Sequence, residues 1–183
     1  MADGTLKVGT ITTSSGSGTI TLGQSGETLA LGSGVTSKFN QPAFEAYLSA
    51  NQTVTDDTYT KIQINTKVFD TNSYYDNSTN YRFTPLVAGK YYVYSAVTAI
   101  SSNGNSSLIH CDPSIYKNNS SYRGAVSDFR TNYAYNFSTS VSAIIDMNGT
   151  TDYLEVFASV DVTAGSPIVN GSQTYFGAYR IGA

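Results

Sequence analysis

The sequence predicts an all-β chain, and three observations carry that prediction. The stretch Tyr75 to Tyr94, YDNSTNYRFTPLVAGKYYVY, joins two apolar and aromatic runs through a proline-glycine segment. Its residues are the aromatic and β-branched types that suit a pleated surface. Charged residues make up 13% of the chain, against about 25% in ordinary soluble domains, while Tyr, Ser, Thr, Asn and Gly are abundant. Short apolar runs then recur at Val141 to Asp146, Tyr153 to Val160 and Thr174 to Ile181, cut by turn signals at Asn148-Gly149 and Ala164-Gly165-Ser166-Pro167.

In chain order, residues 1–39 stand apart. Gly, Ser and Thr dominate, aromatics are absent until Phe39, and Gly-Thr-Ile recurs at Gly9 and Gly18. The main apolar residues are Ile11, Ile20, Leu22, Leu29, Leu31 and Val35, and two alternating segments flank the hairpin-like Gly23-Gln24-Ser25-Gly26. A flexible linker needs no apolar period, so a β-arm is the preferred reading over a Gly/Ser linker. Its Ile and Leu side chains would be buried only against other chains.

From Gln41 to Asn51 the spacing fits a helical face (Phe44, Tyr47, Leu48) and a strand face (Phe44, Ala46, Leu48) equally well. The run Tyr59, Lys61-Ile62-Gln63-Ile64, Val68-Phe69 reads as strand. Pro85 cannot donate to a ladder and belongs at a strand end, and Gly89 lets the backbone take a positive φ before the next strand. Beyond it, Val93, Val97 and Ala99 share one face and Tyr92, Tyr94, Ala96 and Ile100 the other. Both faces are apolar or aromatic, as expected where one packs in a sandwich and the other meets a neighbouring sheet or subunit. Residues 101–107 and Lys117 to Ser121 read as exposed loops. Around the second lie Tyr116, Tyr122, Phe129, Tyr133, Tyr135 and Phe137. Tyrosine offers a wide apolar face and a hydroxyl at low entropy cost, so Tyr116, Tyr122, Tyr133 and Tyr135 are candidate surface-binding aromatics for a sugar or a protein. Subunit packing is the preferred alternative.

The order Tyr75-Asp76, Thr79, Phe83, Pro85, Gly89, Tyr91, Val93 resembles the centre of the C1q-like domain family. Pro42-Ala43-Phe44-Glu45-Ala46 is similar to that family's opening motif, and Ile64 to Asp70 to its strand ending in Phe-Asp. Asp152-Tyr153-Leu154-Glu155-Val156 and Thr174 to Ile181 are similar to its closing strands. Between 101 and 140 only Tyr116-Lys117-Asn118 matches, with Asn119 in place of a glycine. The resemblance spans about residues 40–183 and implies a ten-strand jelly-roll sandwich, with Phe44 to Leu48 as strand. It also implies a homotrimer that binds rather than catalyses.

With 183 residues, the chain has room for one such domain plus the arm, the domain burying about two thirds of its unfolded surface. Cys111 is the only cysteine, which rules out an intrachain disulfide, and no apolar run approaches a membrane span. The opening Met-Ala-Asp-Gly-Thr lacks a secretory pattern, so synthesis in a cytoplasm is expected and the eight Asn-x-Ser/Thr sequons follow composition. The net charge of −3 gives no footprint for nucleic acid.

Adjacent His110 and Cys111 point to opposite faces of a strand and cannot pair as base and nucleophile; a buried thiol beside a surface histidine is expected. No cluster has zinc spacing, no glycine loop carries a phosphate-binding lysine, and no carboxylates form a glycosidase signature. No enzyme and no cofactor are expected. Asp56-Asp57 and Asp70 to Asp76 are the candidate calcium ligands, since some C1q-like trimers carry calcium, although acidic residues in turns are usually solvated.

A Gly/Ser/Thr-rich β leader ahead of a compact knob resembles fibre and decoration proteins of bacterial viruses. The expectation is therefore a trimeric virion protein made in the host cytoplasm. Residues 1–39 would dock to the major capsid protein or a tail- or portal-associated protein, and residues 40–183 would face outward without inserting in a membrane. The alternatives are a tail-fibre tip that binds host receptor or surface glycan, a cellular adhesion module, and a tailspike depolymerase.

Overall fold

The computed structural model describes residues 41–182, together with Ile11 and Ser33, and places 13 strands and no helix among them. The first strand, β1 (Ala43–Tyr47), turns Phe44 and Ala46 inward. Spacing leaves this segment open between helix and strand, and pairing decides it. β1 lies antiparallel between β13 (Tyr175–Gly182) and β4 (Thr66–Asp70).

The spine of this sheet is β7 (Gly89–Ser101). β13 and β12 (Pro167–Val169) follow one another along one side of it, and β10 (Asn136–Met147) runs along the other. A short β2 (Gln52–Thr53) lies outside β12. The second sheet centres on β11 (Leu154–Val162) and β8 (Leu108–Lys117), with β9 (Ser120–Gly124) outside β8. On the other side of β11 lie β3 (Thr60–Lys61) and β6 (Arg82–Phe83), the latter paired with β5 (Tyr75–Asp76). The chain passes between sheets from β2 to β3, β3 to β4, β4 to β5, β6 to β7, β7 to β8, β9 to β10, β10 to β11 and β11 to β12. That repeated crossing makes a jelly roll of two facing antiparallel sheets.

Five aromatic residues close the sandwich. Phe44 stacks on Tyr75 at 4.5 Å and on Phe83 at 4.4 Å, and meets Phe176 edge-on at 5.0 Å. Phe83 meets Tyr91 edge-on at 5.8 Å. Phe44, Tyr91 and Phe176 come from the first sheet, Tyr75 and Phe83 from the second, so each ring pair between the two sets ties the sheets together. The two buried hydroxyls are satisfied locally, Tyr75 donating to Ile64 O and Tyr91 to Val87 O, both at 2.8 Å. These five residues are among the aromatic positions of the C1q-like resemblance, which gives that part of the motifs a packing cause. Gly89 takes φ +139°, and a Cβ there would lie 2.2 Å from Gly182 O, so the glycine that opens β7 is required on both counts.

Several expectations change. The run from Tyr59 to Ile64 contributes only the two-residue β3, and Ile62 and Ile64 are buried in irregular backbone; the strand expected over Ile64 to Asp70 begins at Thr66. Lys117 to Ser121 is no wide loop. Asn118 and Asn119 both take positive φ, 51° and 64°, and join β8 to β9 as a two-residue hairpin turn of the kind that matches strand twist. Asn119 tolerates the left-handed region, so it can stand where the family has glycine. His110 is 9% exposed, not a surface residue, while Cys111 is fully buried as expected. Of the residues assigned to the arm, Ile11 is exposed; Ile20, Leu22, Leu29 and Leu31 lie outside the described residues.

Candidate functional site

A pleated strand sends alternate residues to opposite faces, and register sorts the outward residues of the first sheet into rows. Ala43, Tyr179, Tyr92 and Ile144 form one row; Glu45, Gly177, Tyr94 and Ser142 the next; Tyr47, Tyr175, Ala96 and Ser140 a third. Tyr92 and Tyr94 sit 6.0 Å apart, Tyr92 lies 5.5 Å from Tyr179, and Tyr94 meets Tyr175 edge-on at 6.2 Å. The result is one tyrosine patch across β7 and β13. Ile144 and Tyr179, 56% and 46% exposed, leave it uncovered.

Gly177 makes the patch flat. A Cβ there would lie 2.4 Å from the Tyr94 ring, so only glycine lets that ring lie across β13 toward β1. There the Tyr94 hydroxyl donates to Glu45 Oε2 at 2.8 Å. Burial first, and then Glu45, push the Tyr94 phenol up, so it stays protonated and donating. Beside it, Tyr92, Tyr94, Ser95, Ser140, Val141, Ser142 and Tyr175 line a pocket of about 410 Å³. Its walls offer aromatic faces and hydroxyls but no nucleophile paired with a base. Charged groups on this face are Glu45, engaged as an acceptor, and the exposed Lys90–Asp146 pair at 3.3 Å on the rim. Such a surface binds by shape, apolar area and hydroxyl hydrogen bonds.

The edge of this sheet is guarded. β10 pairs only with β7 among the described residues, and two of its carbonyls are capped from the second sheet. Lys117 Nζ donates to Asp146 O at 2.7 Å and Tyr122 Oη to Ile144 O at 3.4 Å.

The four aromatics singled out from sequence separate. Tyr116 faces outward on the second sheet, stacked on Phe157 at 4.1 Å with Tyr59 at 6.4 Å. Tyr122 sits on β9 and caps β10. Tyr133 and Tyr135, 44% and 54% exposed, lie on the segment before β10. Phe129 and Phe137 pack edge-on against each other at 4.6 Å and onto the core. Sequence spacing does place Tyr92 and Tyr94 together on one face of β7. It misses Tyr175, Gly177, Tyr179 and Glu45, for which Tyr-x-Gly-x-Tyr in the last strand is the available signal.

Asp70 and Asp76, two of the candidate calcium ligands, hold their own loops. Asp76 accepts from the amides of Ser78, Thr79 and Asn80, each at 3.0 Å, and from Asn80 Nδ2 at 2.8 Å. These donors, the Thr79 amide foremost, outweigh burial and hold its carboxyl well below the usual range. Asp70 accepts from the amides of Tyr74 and Tyr75 and pairs with Lys67 at 3.0 Å.

No protein-family model matches the chain, and no curated protein matches it. Solved structures do. The globular domain of zebrafish complement 1qA protein is 14% identical, with a TM-score of 0.54 over 76% of this chain and 97% of that one. Murine APRIL at pH 5.0 is 9% identical, with a TM-score of 0.55 over 78% of this chain and 100% of that one. At such identities the likeness establishes the fold, a C1q/TNF-like jelly roll.

Proposed function

We propose that this chain is a non-catalytic binding module that works as a homotrimer on the surface of a bacteriophage particle, as a fibre or capsid decoration protein. The observation that carries the trimer is the uncovered tyrosine patch. A single copy leaves Tyr92, Tyr94, Tyr175, Tyr179 and Ile144 together on one face, and monomers rarely keep a large contiguous apolar patch exposed. Three copies around an axis bring unlike parts of the same face together and close the ring. The C1q- and TNF-like folds of the structural neighbours are in keeping with that arrangement.

The virion setting rests on sequence. A leader of alternating Ile-Thr and Leu-Ala among Gly, Ser and Thr precedes the knob, a composition suited to docking on a capsid or tail protein. Light scattering on the full chain tests the trimer, with three chains' mass expected and one chain's mass overturning it. Gold-labelled antibody against residues 40–183, applied to virus particles from the source culture, tests the setting. Label on head or tail supports it, and unlabelled particles beside abundant cellular protein replace it with a cellular adhesion module. A glycan-binding role would fall to Tyr133 and Tyr135, which stand exposed near one another in sequence; a glycan array without hits removes it.

A further inference from the structure

His110 is the chain's one histidine. Strand alternation sends Cys111 into the core and His110 to the outer face of the second sheet, where the connection between β2 and β3 covers it. That connection is pinned to β11 by Asp57 N donating to Val160 O at 3.0 Å and by Val162 N donating to Asp56 Oδ1 at 3.1 Å. It delivers Asp57 to the imidazole from one side. β11 delivers Ser159 and Asp161 from the other, Asp161 directly opposite His110 in register.

His110 Nε2 lies 3.1 Å from Ser159 Oγ and 3.6 Å from Asp57 Oδ1, and Nδ1 lies 4.0 Å from Asp161 Oδ2. One ligand atom from each of Asp57, His110 and Asp161 falls within 4.8 Å of the others. Nδ1 makes no hydrogen bond among the described residues, and no fully buried side-chain polar atom is left without one among them. Negative charge accumulates around the ring. Burial and Asp56, and then Asp57, push the Asp161 carboxyl up, with His110 and Arg130 pulling it back.

We propose that His110, Asp57 and Asp161 form a binding site for one divalent ion of the zinc class, taken up through one ring nitrogen and one oxygen of each carboxylate. Imidazole with two carboxylates suits such an ion, whereas calcium takes six to eight oxygens. Zinc holds nitrogen and oxygen ligands at about 2.0–2.2 Å, which sets ligand atoms of a tetrahedron about 3.4 Å apart. The three ligand atoms lie within 4.8 Å of one another and would close around the ion, Asp57, whose side chain is 72% exposed, being free to swing. The fourth position is left to water. The bound ion would staple the β2–β3 connection to the second sheet, a role separate from the tyrosine patch.

A single histidine makes the test direct. The full chain, ¹⁵N-labelled and carrying no affinity tag, is titrated with zinc chloride at pH 7 while the imidazole nitrogens are followed by long-range ¹H–¹⁵N spectroscopy. One ring nitrogen should shift and saturate at one zinc per chain. Asp57→Asn and Asp161→Asn should each weaken the apparent affinity by about tenfold or more with the fold's amide spectrum retained. An imidazole that responds to pH but not to excess zinc overturns the proposal, because His110 then serves only as an ion-pair partner. Saturation at the same zinc concentration in Asp57→Asn also overturns it, and that exposed position carries the test if Asp161→Asn fails to fold.

Discussion

The two outer faces of this sandwich solve their surface chemistry in opposite ways. On the second sheet, polar and charged groups answer one another. Glu155, almost fully buried, takes Lys61 Nζ at 2.6 Å, that ammonium also lies 5.7 Å from the Phe157 ring, and Lys117 reaches Asp152 at 2.9 Å. On the first sheet, tyrosines and serines lie side by side with little charge among them, Glu45 is engaged by Tyr94, and Asp146 pairs with Lys90 at the rim. One face is internally satisfied. The other leaves Ile144 and Tyr179 exposed beside further tyrosines, so the same pleated architecture yields a charge-paired face or an aromatic one according to which residues occupy alternate positions.

Removing what the two faces share has the largest expected effect. Phe44→Ala takes away the ring that stacks on Tyr75 and Phe83 and should destabilise the fold by about 3–5 kcal/mol, read by denaturant unfolding. A loss confined to one sheet's probes would break the picture of a single core.

Next comes the contrast between faces. Tyr92→Ser with Tyr179→Ser should convert three-chain mass into one-chain mass in light scattering while the circular dichroism of the fold persists. Tyr116→Ser, on the other sheet, should leave the mass at three. Equal effects from both would end the distinction.

Asp76 gives a pH-dependent effect. Its folded carboxyl titrates below the unfolded one, so its contribution is present above about pH 4 and is lost as pH falls through the folded value. Asp76→Asn should therefore lower stability at neutral pH by about 1–2 kcal/mol and flatten the acid limb. An unchanged acid limb would show that those hydrogen bonds do not favour the folded state.

The smallest effect is expected at Glu155. Glu155→Gln weakens the pairing with a partly exposed Lys61 and should cost about 1 kcal/mol, with no change in native mass. A shift in oligomeric state would mean that the second sheet also meets a neighbour.

How much of this was legible follows the range of each interaction. Fold class came through because alternation, the proline-glycine turn and the motif aromatics are local patterns, and because Phe44, Tyr75, Phe83, Tyr91 and Phe176 must be large wherever two such sheets meet. The site came through in half. Tyr92 and Tyr94 announce their face by spacing two apart, but a cluster read from nearness in sequence, Tyr116 to Phe137, scatters over β8, β9, the segment before β10 and the start of β10.

The sequence by itself determined that the chain is all-β, where most of its turns fall, that Gly89 must open β7 and which face of β7 carries tyrosine. Only the tertiary structure decided which tyrosines lie together, that Gly177 makes room for the Tyr94 ring, and that Asp57, His110 and Asp161 converge. The physical reason is that strand character follows from neighbours one or two residues away, whereas register between strands is set by how the whole core packs.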